Sequence, residues 1–379
     1  MSKKVLRILH CLGGREALAA ELLPDRLARL GRNLYHEFVG VSDEDWHSVS
    51  VMTNKLKLLF PQEFPSLEGK PTPGRLLRLA NAIKPYDLVL TYGWGAIDVA
   101  MAHTLFSDAL GLPPLIHHET ALAGEEKRLS RKRSWYRRVA LGKAAGLVVP
   151  SERLEEAALV DWQQPIGRVK HFAPGVEIPA KPKRPKADAL RGIIKREGEL
   201  WIGCELATPA DVAARAGLIA SLAQLPDSWH LVVLTNGLEA DGITDAAAQA
   251  DVSHRVHAVD SKQTSAEVMG LFDIWIALTD GSDEVRNALI AMALEKPVLA
   301  SQNSGIAALL PEEFSREVAT GMTEKSITQA LSAVTKDDLL RVRLGAANRE
   351  QAKKHYNAEQ ALDRYRRLYA SAMKAEITA

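Results

Sequence analysis

Two histidines, His117 and His118, close the short apolar run PPLIHH, and the acid Glu119 follows them directly. Imidazole titrates near neutral pH, so a histidine at the end of a buried strand can hold or pass a proton next to a bound ligand. Parallel sheets bind ligands beyond the carboxyl ends of their strands, which is where this pair falls if PPLIHH is a strand. A hydrogen-bonded structural pair accounts for the two rings equally well. Glu119 could orient a ring nitrogen or bind an acceptor hydroxyl; a loop-surface acid is the plainer reading. Gly13, Gly14 and Arg15 follow the first apolar run. Glycines there let backbone N–H groups approach a phosphate, and an arginine can pair with it. A simple strand-to-helix turn explains the glycines as well. The run 125–143, EEKRLSRKRSWYRRVALGK, sets Arg131, Lys132, Arg137 and Arg138 around Trp135 and Tyr136. That mixture suits an anionic membrane surface, where cations meet headgroups and aromatics sit at the interface. A solvated helix with its aromatics in the core is the bland alternative. No cysteine–histidine cluster suggests zinc, and no Asp-x-Asp motif occupies a suitable strand end, so no metal is expected.

The elements that must position these residues are legible as alternating runs. VLRILHCL, YHEFVGV, DLVLTY, PPLIHHE and GLVVP read as strands, and the first, third and fifth are nearly all apolar, as burial on both faces of a parallel sheet requires. Helical stretches such as EALAAELLPDRLARLG and GRLLRLANAIK lie between them. A second series follows: LWIGCEL, HLVVLTN, RVHAV, IWIALT and KPVLAS, with helices such as DVAARAGLIASLAQL. Two such series imply two doubly wound α/β domains with a cleft between them. The length, 379 residues, also exceeds one ordinary core. Residues 173–187, APGVEIPAKPKRPKA, are rich in proline and lysine and read as the linker. The expected division is 1–175, a linker at 176–190, 191–350, and a C-terminal helix within 351–379.

Charged residues make up 25% and the formal net charge is +1, so there is no overall basic bias toward nucleic acid. The two cysteines, Cys11 and Cys204, sit in separate apolar runs and read as buried thiols of a reducing compartment. The apolar run after the first lysines is too short for a signal or membrane segment. A cytoplasmic protein is expected, with peripheral contact at the inner face of the membrane if the basic run is a membrane patch.

Several segments together resemble the retaining glycosyltransferases of family 4. They are the glycines at 13–14, GLVVPSERLEEAAL at 146–159, FAPGVEIP, the helix–turn–strand ALTDGSDEVRNALIAMALEKPVLAS at 277–301, and RYRRLY at 364–369. PTPGRLLRLANAIKPYDLVLTYGWGAIDVAMAHTLF and LIHHETALAGEE look like a bacterial subgroup. The resemblance implies a GT-B fold, two Rossmann-like domains facing across a cleft, with the terminal helix crossing back to the first. It also implies that a histidine at 117 or 118 faces the transferred sugar and that the second domain binds the donor. The chain departs from the pattern at the donor side. Where the family has an arginine and a lysine to clamp the diphosphate, CELATPADVA places Glu205 and Asp211. Both reverse the charge; Arg215, one helical turn beyond Asp211, could compensate or lie on a solvated face. The family's pair of helix glutamates falls at Ser282 and Ile290. Ser282, Asp283 and Asn287 occupy the site of the family's acidic helix start; the serine and aspartate could bind sugar hydroxyls or cap the helix, and capping alone accounts for them.

The resulting expectation is transfer of a sugar, with retention, from a nucleotide-diphosphate sugar to an envelope lipid or polysaccharide acceptor, without a further cofactor or a nucleic-acid partner. The alternatives are a non-catalytic relative that binds a sugar, lipid or protein as a scaffold, and an enzyme such as an epimerase on the same fold.

Overall fold

The computed structural model describes residues 5–13, 23–42, 58–119, 130–182, 185–205, 211–235, 240–260, 265–278, 282–302, 304–314, 319–320 and 323–378. They form two compact units, Met1–Pro174 with Glu359–Ala379, and Gly175–Ala358.

The first unit is built on a seven-stranded parallel sheet. Its strands are β1 (Leu6–Leu12), β2 (Leu34–Val39), β3 (Leu58–Leu59), β4 (Leu88–Tyr92), β5 (Leu115–His118), β6 (Gly146–Val149) and β7 (Val169–His171). The order across the sheet is β3-β2-β1-β4-β5-β6-β7, so chain order reverses between β1 and β4. Side chains of one strand alternate between two cores. Leu9 and Cys11 of β1 and Val89 of β4 enter one; Leu6, Ile8 and Leu12 of β1 and Leu88, Leu90 and Tyr92 of β4 enter the other. Both faces are therefore covered, which is why these strands read as unbroken apolar runs. The helices of this part are α1 (Leu23–Leu30), α2 (Pro73–Ile83), α3 (Ile97–Leu110), α4 (Arg131–Ala140) and α5 (Glu152–Val160). Thr72 caps α2 by accepting from the Arg75 amide, with Pro73 in the first turn, and Ser151 caps α5 in the same way through Leu154.

The second unit repeats the plan with six parallel strands: β8 (Leu200–Glu205), β9 (Trp229–Leu234), β10 (Val256–Val259), β11 (Ile274–Ala277), β12 (Val298–Ser301) and β13 (Ala319–Thr320). Their order is β10-β9-β8-β11-β12-β13, and the reversal lies between β8 and β11. Its helices are α6 (Asp211–Leu222), α7 (Asp241–Gln249), α8 (Ala266–Gly270), α9 (Ser282–Ala293), α10 (Glu324–Lys336) and α11 (Asp338–His355). The turn between α9 and β12 puts Glu295 at φ +61°, and α11 lies so close to it that a Cβ on Gly345 would meet the Glu295 carbonyl oxygen.

The last helix, α12 (Ala358–Met373), belongs almost wholly to the first unit. Leu362, Tyr365 and Tyr369 enter the core of Leu6, Ile8 and Leu12, and the Arg366 guanidinium donates to the Leu30 carbonyl at 2.9 Å. Among the described residues no helix is long and apolar enough to cross a membrane.

Candidate functional site

The reversal points of the two sheets are where open α/β sheets hold ligands. In the second unit that point is built from α6, α9 and the end of β8. Glu205 closes β8 and is buried; its Oε2 accepts from Asn287 Nδ2 of α9 at 2.7 Å. Arg215 of α6 donates from Nη2 to Glu284 Oε1 of α9 at 2.9 Å, with neither side chain exposed. Removing two charges from water is costly, and only close pairing of this kind offsets it. Burial pushes the nearby Cys204 thiol up to about 12, so it stays protonated. Arg215 therefore does not lie on a solvated helix face, which corrects that reading: a glutamate from another helix pairs with it. Glu205 is likewise held by an amide. Asp211 opens α6, and Ser282 and Asp283 open α9; their side chains lie outside the described residues.

In the first unit the reversal point is occupied by backbone. Gly13 follows β1, and a Cβ added to it would sit 2.5 Å from the Cα of Gly95, in the turn after β4. The glycine at 13 is thus required by this backbone contact. Gly14 and Arg15 lie outside the described residues.

His117 and His118 end β5 as the sequence suggests, and both are fully buried. His117 Nδ1 is 2.8 Å from Thr91 Oγ1, and its Nε2 is 3.7 Å from Glu119 Oε2. Glu119 accepts from Arg137 Nε at 2.7 Å and is itself buried, so it is no loop-surface acid. Burial alone would push this carboxyl up; the His117 ring and the Arg137 guanidinium outweigh it and hold the group below its ordinary range. His118 points to the other face. Its Nε2 is 2.9 Å from Tyr369 Oη of α12, and its ring stacks on Tyr92 at 4.8 Å. Neither ring is exposed at the strand end: alternation along β5 sends each into a different packed layer.

Two further histidines extend this layer. His10 Nδ1 lies 3.0 Å from Tyr92 Oη, and His10 Nε2 lies 2.9 Å from His36 Nδ1. Burial and the neighbouring His36 ring hold His10 well below the usual imidazole range, and burial lowers His36 to about 4.

Arg137 is also the exception within the basic run. It is buried between the rings of Trp94 and Trp162, at 5.0 and 4.8 Å, and is neutralised by Glu119. Tyr136 donates to Asp98 at 2.6 Å, and Asp98 also pairs with Arg75 at 2.5 Å. These inward contacts leave Arg131, Lys132, Trp135 and Arg138 on the outer face of α4, where Trp135 is 62% exposed. Spacings of three and four place these four on one face. Trp94, Thr91, Asp98, Glu284 and Tyr369 were not singled out from sequence. They lie within segments that carry the resemblance, but their partners lie far away along the chain, and nothing local sets them apart from their neighbours.

No family model and no curated protein matches the chain. Solved structures superpose along nearly its whole length. Sucrose-phosphate synthase from Thermosynechococcus elongatus aligns at 18% identity with a TM-score of 0.70, covering 97% of this chain and 99% of that one. Anabaena HepE in complex with UDP aligns at 16% identity and TM-score 0.72, covering 97% and 100%. A glycosyltransferase from Rickettsia africae aligns at 11% identity and TM-score 0.69, covering 99% and 100%. At these identities the likeness shows the fold: GT-B, with two Rossmann-like units.

Proposed function

We propose that the chain is a nucleotide-sugar-dependent glycosyltransferase of family 4 type, moving a sugar with retention onto an envelope lipid or polysaccharide hydroxyl. The observation that carries this reading is the superposition of the whole chain on nucleotide-sugar proteins, one of them described in complex with UDP. The second unit would take the donor at the β8/β11 reversal point, and departure of the diphosphate would be the central catalytic demand. The outer face of α4, with Arg131, Lys132, Trp135 and Arg138, would meet an anionic membrane and bring the protein to a lipid acceptor.

A second reading, a non-catalytic binding or scaffold protein, is favoured by one specific observation. Glu284 closes on Arg215, and a second buried carboxylate, Glu205, is held by Asn287, at the end of the sheet where a donor diphosphate would have to be held. Titration with a panel of nucleotide sugars, followed by assays of donor hydrolysis and transfer, separates the two. Binding with turnover supports the transferase. Absence of turnover over the whole panel, with a folded protein, supports the scaffold.

A further inference from the structure

Resting on the donor reading above, we propose that Glu284 is an internal substitute for the donor phosphate. Its carboxylate takes up Arg215 and so sets how strongly the second unit binds nucleotide diphosphates. The placement carries the argument. Arg215 lies in the second turn of α6 and Glu284 in the first turn of α9, on helices that follow β8 and β11, the two strands flanking the reversal point. The first turn of a helix favours an anion, and a phosphate would be favoured there for the same reason as a carboxylate. A guanidinium accepts carboxylate and phosphate with the same fork of N–H donors. The Arg215–Glu284 contact, at 2.9 Å with both side chains 0% exposed, is thus the kind of contact a bound phosphate would make, formed by the protein itself. Glu205 adds a second buried carboxylate, held by Asn287. A diphosphate entering beside two carboxylates meets like charge in a medium of low dielectric. To take Arg215 Nη2 it has to displace Glu284.

Calorimetric titration of the full chain with UDP tests this. Glu284→Gln keeps the side-chain volume and removes the charge. It is expected to bind UDP about tenfold more tightly than the wild type, the factor equivalent to 1.4 kcal/mol at 25 °C. Adding Arg215→Met to Glu284→Gln is expected to abolish the gain. Should Glu284→Gln not fold, Glu284→Asp keeps the charge, withdraws the carboxylate from Arg215, and is expected to bind UDP severalfold more tightly. UDP binding in the wild type that a folded Glu284→Gln or Glu284→Asp leaves unchanged overturns the proposal and leaves the donor reading intact. Absence of UDP binding from the wild type and every variant overturns both.

Discussion

Arg137 shows how far a residue's role departs from its local context. Its neighbours Arg131, Lys132 and Arg138 are of the same charge class and lie exposed, while Arg137 is buried against Glu119. Nothing in the run distinguishes it, because the distinction lies in a partner contributed by another strand end. Truncating one member of a buried pair strands the other, so Arg137→Ala is expected to lower stability by about 3–5 kcal/mol. The double change Glu119→Gln with Arg137→Met removes both charges and is expected to recover most of that loss in denaturant titrations. An Arg137→Ala variant as stable as the wild type would show that the pair contributes nothing. Gly13 behaves differently: Gly13→Ala sets a methyl against Gly95 backbone, which cannot rotate away as a side chain can. An overpacking cost of about 1–3 kcal/mol is expected, read as a lowered denaturation midpoint. The two-glycine pattern was visible in the sequence; its partner at Gly95 was not.

Among the elements, α12 rests on a layer of buried imidazoles and phenols: His10, His36 and His118 with Tyr92, Tyr365 and Tyr369. Among the described residues, the charged group facing this layer from α1 is Arg26, whose guanidinium lies 4.0 Å from the centre of the Tyr365 ring. The imidazole pKa of His36 falls from 6.5 in the unfolded chain to about 4 in the fold. Protons therefore bind the unfolded state more strongly. The stability from a neutral His36 is fully present above pH 6.5 and is lost progressively as pH falls from 6.5 toward 4. Over that window His36 accounts for about 3 kcal/mol, and His10 shifts in the same direction. Denaturation midpoints measured from pH 7 to 4 should fall, and His36→Phe should flatten the slope; an unchanged slope would exclude His36 as its source. The outer face of α4 makes a separate prediction. If it meets anionic membrane, sedimentation with anionic vesicles should fall as salt rises and fall again when Arg131, Lys132 and Arg138 are changed to Ser. Equal sedimentation of wild type and variant would remove that face from consideration. The longer strands were readable because burial on both faces makes them continuous apolar runs. The short strands Leu58–Leu59, Val169–His171 and Ala319–Thr320 were not, since so few residues carry no periodicity.

Over the whole molecule, the two strand–helix series and their shared plan were legible, because each buried sheet repeats the same alternation of apolar runs and helices. The reversal point of the second unit was only half legible. The acidic residues at 205 and 211 were visible, but the closure of Arg215 onto Glu284 needed the fold to bring α6 and α9 together. One consequence of the chain's path concerns its synthesis. Residues 359–379 belong to the first unit, and Leu362, Tyr365 and Tyr369 complete a core begun at Leu6 and Ile8. A ribosome delivers the second unit, 175–358, before that closing piece exists. At about 5–20 residues per second the interval is roughly 10–40 s. Throughout it, the apolar face that α12 covers has no native partner from its own chain. The N-terminal body, made first, is thus completed last. The nascent first unit is the part of this protein that a holdase chaperone would protect.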